Sequence, residues 1–333
     1  MPSRIRDVAR LAGVSSATVS RVLANKPHVR ESVRQRVLAA VEELDYQPSR
    51  VARSLRVQHS RIIGLIISDI QNPFFTSLVR AVEDIAYAHQ HTVFLCNSDE
   101  DVEKERLYID LMRAEKVAGV IITPTMERNN PCQKLLKANI PVVSVDRRML
   151  DVSVDTVRVD NTGAAFKLVS HLIEHGHRRL GAVIGLETST TGRERLAGYK
   201  QALQANQIPI EPDLIHTGYP NQKNGYEFTR ALLSLNERPT GLFTGNNLLT
   251  EGALRAIHDQ NLRIPEDIAL VAFDEMDWMS LIKPQLTVIA QPSYELGKVA
   301  AELLLERIAD KEAAVREVIL EPTLIIRQSC AMH

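Results

Sequence analysis

Arg21 of this 333-residue chain stands among short residues, Ser16, Ala17 and Ser20, in a pattern suited to reading a base edge. Short side chains let a backbone come close to a DNA groove, and a guanidinium fork can then pair with O6 and N7 of a guanine. Ser15, Thr18 and Arg30 are placed to hold phosphate oxygens, which position a protein on DNA without specifying sequence. Such chemistry needs short, well-ended helices. Val8, Ala9, Leu11 and Ala12 have core spacing in a helix from Ile5 to Ala12, and Gly13 supplies the permissive backbone of a turn. Ser15 is suited to cap a second helix running to about Ala24, with Val19, Val22 and Leu23 inward and Ser16, Ala17, Ser20 and Arg21 outward. A third helix, about Glu31 to Leu44, carries Val33, Val37, Val41 and Leu44 on one stripe. Two short helices about an Ala-Gly turn make a helix-turn-helix, whose second helix enters the major groove. Periodicity alone leaves a plain three-helix bundle open.

Charge distribution bears on the same question. Residues 1–60 hold eleven Arg and Lys against five Asp and Glu, although the whole chain has a net charge of −1. A basic head on an acidic body fits a polyanion partner, and fits equally a well-solvated basic helical domain. A 44% hydrophobic composition is enough for sizeable cores, and the length suggests two or three units. Cys96, Cys132 and Cys330 are odd in number and far apart in sequence, which points to a reducing compartment. The opening MPSRIRDVAR does not read as a signal peptide, and no run of 18 apolar residues occurs, so a cytoplasmic protein without membrane contact is expected.

From Arg61 onward strands and helices alternate. Strands are predicted at Ile62–Ile67, Thr92–Cys96, Val117–Thr123, Val142–Val145, Leu180–Ile184, Gly241–Thr244 and Ile268–Phe273. Helices are predicted near Pro73–His89, Val102–Glu115, Asn130–Ala138, Phe166–His175, Gly192–Gln207, Gln222–Leu235 and Leu248–Gln260. Two such series imply two lobes of parallel sheet, with a ligand cleft at the carboxyl ends of the strands.

His171, His175 and His177 invite a metal reading, since histidines four apart share a helix face. Gly176 instead fits a helix-ending position, and a histidine in the last turn suits the helix dipole, so no metal is expected. Gly181 and Gly185 lack the spacing of a dinucleotide loop, and no nucleophile elbow, phosphate loop or HExxH motif occurs. Neither a cofactor nor catalysis is expected.

The run Ile5-Arg-Asp-Val-Ala-Arg-Leu-Ala-Gly-Val-Ser-Ser-Ala-Thr-Val-Ser-Arg-Val-Leu, continued by Val37-Leu-Ala-Ala-Val-Glu-Glu-Leu-Asp-Tyr-Gln-Pro, resembles the headpiece of LacI/GalR regulators. It departs from that family at Ala24, followed by Asn25, where an Asn is usual, and at Arg30, which cannot cap the third helix. Pro48 stops the third helix, and Ser49 can cap a seven-residue segment, Arg50 to Arg56, that is marginal as an isolated helix. The residues alone leave a basic linker open. The segment resembles the family's hinge helix, and the resemblance implies a pair of hinge helices in the minor groove. Leu55 would wedge into the central base step, Val51 and Ala52 would pack the pair, and Arg50 and Arg53 would meet DNA.

The body resembles the ribose-binding-protein-like core of the same family, on Asp69-Ile-Gln-Asn-Pro-Phe-Phe, Val145-Asp146-Arg147, Val159-Asp160-Asn161, His175-Gly-His-Arg-Arg, Arg195-Leu-Ala-Gly-Tyr, Phe273-Asp274 and Pro284-Gln-Leu-Thr-Val. The implied fold is a small all-α helix-turn-helix DNA-binding domain (1–47), a hinge helix and linker (48–60) and an α/β two-lobed periplasmic-binding-protein-like (type I) core (61–333). The N-lobe would be about 61–160 and 291–320, and the C-lobe about 161–290 and 321–333, with three crossovers. Effector contacts implied by the matching positions are Asp146, Arg195, Asn246 and Asp274, with Arg147, Thr191 and Gln291 beside them and Phe74 and Phe75 as an apolar wall. Asn246-Asn247 lacks a carboxylate common in the family, and Pro220 beside Tyr219 takes a position where several members stack an aromatic ring. Arg147 and Arg148 would favour an acidic ligand or be solvated surface; a carbohydrate or derivative is the expected effector.

The resulting expectation is a bacterial repressor, nucleoid-associated when bound. It would act as a homodimer on a near-palindromic operator, with a small molecule controlling its DNA affinity. The pattern offers no heptad tail that would link dimers into a tetramer. A solute-binding transport protein, lacking a reason for the helix-turn-helix, and a sugar-handling enzyme are the competing classes.

Overall fold

A computed structural model describes residues 4–23, 26–27, 29–46 and 60–330. The chain divides into two units, Met1–Ser60 and Arg61–His333. Ala24, Asn25, Pro48, Ser49 and the hinge positions Arg50, Val51, Ala52, Arg53 and Leu55 lie outside the described residues.

The first unit holds α1 (Ile5–Leu11), α2 (Ser16–Leu23) and α3 (Glu31–Glu43). Ser15 does cap α2: its Oγ accepts from the Thr18 N–H at 3.1 Å. Gly13 adopts φ +63°, the left-handed turn that a Cβ would strain. Arg30 precedes α3 without a side-chain cap, as its chemistry requires. Val8, Val19, Val22, Val37, Ala40 and Tyr46 close a small core.

The second unit is built on two six-stranded sheets. The first uses β1 (Ile62–Ile67), β2 (Thr92–Asn97), β3 (Gly119–Ile122), β4 (Val142–Val145), β5 (Asp155–Val159) and β11 (Glu317–Leu320), in the order β11-β5-β4-β3-β1-β2, all parallel. The other uses β6 (Leu180–Ile184), β7 (Ile215–Thr217), β8 (Gly241–Thr244), β9 (Ala269–Phe273), β10 (Thr287–Ala290) and β12 (Thr323–Ile325), in the order β12-β10-β9-β8-β6-β7. Here only β10 and β12 run antiparallel. Central strands such as β3, β4, β8 and β9 are buried at every residue, because helices cover both faces. Those helices are α4 (Pro73–Ala88), α5 (Val102–Ala114), α6 (Gln133–Lys137), α7 (Asn161–Glu174), α8 (Thr190–Ala205), α9 (Gln222–Leu233), α10 (Asn247–Asp259) and α11 (Ser293–Ala309). The chain passes between the lobes after β5, after β10 and after β11.

Several bounds shift for local reasons. α7 starts at Asn161 rather than Phe166, because Asp160 caps it through the Gly163 N–H (2.9 Å). α6 is shorter than expected: the Asn130 amide oxygen accepts the Cys132 N–H, and this turn delays helix entry. β5 is missing from the pattern because Asp155 and Arg158 break its apolar run. Both are buried, Asp155 against Arg307 of α11 and Arg158 against Glu317 of β11.

Candidate functional site

Helix α2 offers an outward face to a partner. Ala17 and Arg21 are exposed, Ser16 and Thr18 half-exposed, and the Arg21 guanidinium has no hydrogen-bond or ion-pair partner among the described residues. Ser15 and Thr18 hydroxyls bond to each other at 2.9 Å. Ser20 departs from the expected outward face. It is 4% exposed, and its Oγ is buried without a partner among the described residues. At 100° per residue Ser20 lies beside the Val19–Leu23 stripe, on the opposite flank from Val22, so the small residue closes the core edge. Ser20→Ala is therefore expected to leave operator affinity within about twofold and to keep or raise headpiece stability, since an orphaned buried hydroxyl costs about 1–3 kcal/mol. Anisotropy titration and thermal melting check this; a tenfold loss of operator affinity would return Ser20 to the DNA face.

The other site is the cleft between the two lobes of the second unit. Its free space is ≈ 690 Å³, open solvent at the mouth included. All nine effector positions expected from the sequence line it: Phe74, Phe75, Asp146, Arg147, Thr191, Arg195, Asn246, Asp274 and Gln291. Their convergence follows from topology. Asp146 follows β4, Asn246 follows β8 by two residues, Asp274 follows β9 and Gln291 follows β10, so each leaves the carboxyl end of a parallel strand. Asp146 and Asp274 turn there at φ 70° and 75°. Phe74 and Phe75 open α4 behind the cap residue Asn72 and meet edge to face at 5.0 Å. Arg195 and Thr191 come from the first half of α8.

Buried charge organises the cleft. Arg195 donates from Nε to Asn161 Oδ1 (2.9 Å) and from Nη1 to the Gly245 carbonyl (2.6 Å), while its guanidinium lies 3.8 Å over the Phe273 ring. Nη2 makes no hydrogen bond within the described residues, so one donor of the fork remains for a ligand. Asp274 accepts from the Asn247 N–H and from Gln291 Nε2, which fixes its carboxylate. Asn246 spends its amide oxygen capping α10 on the Leu249 N–H, leaving Nδ2 as a donor. The Asp146 carboxylate accepts no hydrogen bond from the described residues; its nearest cation is Arg147 Nε at 3.6 Å. Burial pushes Asp146 up to about 6, against the pull of Arg147 and Arg195.

Arg147 is neither a free anion receptor nor solvated surface. It is buried, and its fork is held by both carboxylate oxygens of Glu100, with a further bond from Nη1 to the Pro124 carbonyl. Arg148 is taken by Glu317, with Glu194 at 4.0 Å. Glu100, Asp69 and Asn72 were not among the expected contacts. Glu100 carries a usable signal, an acidic loop directly after a strand with an arginine to match. The lobes also touch directly: Asn247 Nδ2 donates to Asn72 Oδ1 (3.1 Å), Tyr219 Oη donates to the Asp99 carbonyl (2.6 Å), and Glu127 takes both Thr190 and Arg193.

Comparison with known proteins agrees with this arrangement. Residues 4–49 match the family model for bacterial regulatory proteins of the lacI family, and residues 60–328 match that for periplasmic binding proteins and the sugar binding domain of the LacI family. A ribose operon repressor of Halalkalibacterium halodurans is 36% identical, covering 98% of this chain and 96% of that protein. Among solved structures, the lac repressor dimer bound to operator and the anti-inducer ONPF superposes with a TM-score of 0.83 at 28% identity over 100% of both chains. A LacI family regulator of Enterococcus faecium with bound ribose gives 0.73 at 32% identity over 81% of this chain and 98% of that one. No helix among the described residues is long and apolar enough to cross a membrane. A helix-turn-helix followed by a two-lobed sugar-binding-type core, matched along nearly its whole length, places this chain in the LacI family of bacterial transcription regulators.

Proposed function

We propose that this regulator is a cytoplasmic repressor whose operator affinity is controlled by a neutral, polyhydroxylated effector of monosaccharide size held in the interlobe cleft. The observation that carries the effector class is the charge balance of the lining. Glu100 neutralises Arg147, which leaves Asp69, Asp146 and Asp274 against the single cation Arg195. An acidic ligand would meet net negative charge, whereas sugar hydroxyls can donate to Asp146 and Asp274 and accept from Arg195 Nη2 and Asn246 Nδ2. Phe74 and Phe75 supply the apolar wall against which a sugar's C–H faces pack. Binding without turnover is part of the proposal: the Ser189 hydroxyl is spent on the Leu186 carbonyl, and no histidine or cysteine is in the lining.

Residues 1–47 are assigned to operator recognition, 48–60 to the hinge and 61–333 to effector binding and dimerisation, with an N-lobe of about 61–160 and 291–320 and a C-lobe of about 161–290 and 321–333. Arg21 is assigned the base-reading role, with Ser16 and Ala17 allowing close approach and Ser15 and Thr18 on phosphates. The hinge residues Arg50, Ala52, Arg53 and Leu55 are assigned to the minor groove on family resemblance alone. A homodimer is supported by an unpaired, apolar sheet edge, with Phe94 and Leu95 exposed on β2 and Leu107 exposed on α5.

A thermal-shift screen of neutral sugars, sugar acids, sugar phosphates, nucleosides and purines tests the reading, since a ligand of the native state raises the melting temperature. A neutral sugar hit lost in Asp274→Ala is the expected result. Hits confined to anionic ligands would overturn the effector class.

The elevated Asp146 carboxyl gives a pH dependence. The folded protein holds this proton more tightly than the unfolded chain, so the group's contribution to stability declines as pH rises from 3.8 to about 6. Effector hydroxyls donate to the ionised form, so binding expels the proton. Effector affinity is expected to fall by about tenfold per pH unit below about 6 and to level off above it. Calorimetry in two buffers of different ionisation enthalpy would read proton release near the midpoint; none would remove Asp146 as a direct acceptor.

A further inference from the structure

The chain folds a second set of coordinating side chains together, away from the cleft. Ring nitrogens of His171 and His175 and the Sγ of Cys330 all lie within 4.8 Å of one another. His171 is in the last turn of α7, and His175 is the residue that ends this helix, ahead of Gly176 at φ +90°. The third histidine of the sequence cluster goes elsewhere: His177 Nδ1 pairs with Thr240 Oγ1 at 3.1 Å. Cys330 takes its place from the far end of the chain, which is why sequence spacing shows no metal pattern.

We propose that His171, His175 and Cys330 form a binding site for a divalent transition metal of zinc type. Imidazole nitrogen and thiolate sulfur are the donor set zinc favours, and three protein ligands leave a fourth position for water. Two features beyond the clustering support it. His171 is 7% exposed, and its Nε2 is buried with no hydrogen-bond partner among the described residues, an arrangement that costs free energy unless something occupies it. His175 Nδ1 lies 2.8 Å from the His171 carbonyl, so it carries the hydrogen and leaves Nε2 with a free lone pair. A backbone carbonyl fixing the tautomer in this way is the usual outer partner of a metal-bound histidine.

The remaining ligand is held firmly. Ser329, next to Cys330, receives the Leu270 N–H on its carbonyl at 2.9 Å, and its Oγ accepts the Thr287 N–H at 2.9 Å, which pins this segment to β9 and β10. Thr287 Oγ1 sits 3.3 Å from Cys330 Sγ, placed to donate to a thiolate. Burial holds the free thiol protonated, so metal binding releases one proton to solvent and replaces S–H by S–metal. Burial and then the neighbouring His175 pull the His171 ring toward its neutral form, against the Glu174 carboxylate. Tetrahedral zinc needs ligand separations of about 3.4–3.6 Å, so the rings must draw in by about 1 Å, a rotamer adjustment. Half-exposed His175 gives the ion a path in from solvent. The site shares no residue with the effector cleft lining.

The test is titration of the chelator-treated full chain with Co²⁺, read by absorbance, alongside melting with and without Zn²⁺. One equivalent of Co²⁺ should give a thiolate charge-transfer band and intense tetrahedral d–d bands, and Zn²⁺ should raise the melting temperature. Cys330→Ser should abolish the charge-transfer band. His175→Gln, at a half-exposed position that folding tolerates, should weaken binding by at least about tenfold. Absence of the thiolate band in the wild-type chain overturns the proposal. So does Co²⁺ binding of equal affinity in His175→Gln, which would assign the ion to surface histidines.

Discussion

Arg21→Ala is expected to lower operator affinity by about 1–3 kcal/mol, roughly 5- to 150-fold, and to flatten discrimination at one base pair of each half-site. The reason is geometric. α2 is capped by Ser15, turned by Gly13 and held through Val19 and Val22, so the exposed Arg21 projects from a fixed helix face with no partner among the described residues competing for its fork. Arg21→Lys restores the charge but not the bidentate geometry, and should recover non-specific affinity more than selectivity. Both variants should leave effector affinity unchanged, because Arg21 belongs to the other unit. Anisotropy against operator and against single-base variants checks this. A uniform loss across all sequences would make Arg21 a phosphate contact.

Arg195→Ala is expected to cost about 3–5 kcal/mol of stability at neutral pH, because it takes the opposing charge from buried Asp274 and leaves Asp146 with Arg147 alone, whose fork Glu100 already holds. Asp146 and Asp274 are the charges that sustain Arg195 against its own burial. With it removed, Asp146 loses one of the two cations that pull against its burial and binds its proton more tightly, so the variant should regain stability as pH falls toward 5, where the wild-type gain is smaller. Arg195→Lys keeps a positive charge but cannot reach both Asn161 and Gly245, so partial recovery of stability without recovery of effector binding is expected. Denaturant melts at two pH values read both effects. A loss of effector binding with no change in stability would mean that Arg195 is not the counter-charge of the cleft.

The strand-end residues were legible through the family resemblance, and the fold shows why they converge: a residue just after an apolar β-branched run sits at the mouth of a parallel sheet. Asp146 after Val142–Val145 and Asp274 after Ala269–Phe273 follow that rule. Partnerships across the fold were not legible. Arg147 reads as a free cation until β2 brings Glu100 beside it, and Asp155 hides a strand because its partner Arg307 lies far along the chain. Ser20 was misplaced because its polarity pointed outward while the helix phase put it beside Leu23. The metal-type cluster escaped for the same reason as these pairs: Cys330 reaches His171 only through the return of the chain to β10 and β12. Pattern finds what one element presents; only the fold shows what meets it.

Operator affinity measured with and without a saturating neutral sugar, chosen by its melting-temperature shift, tests the central claim most directly. The account predicts a change of about 5- to 150-fold, the usual range for coupling between two sites, and its loss in Asp274→Ala. An operator affinity that stays the same with the cleft fully occupied would contradict it.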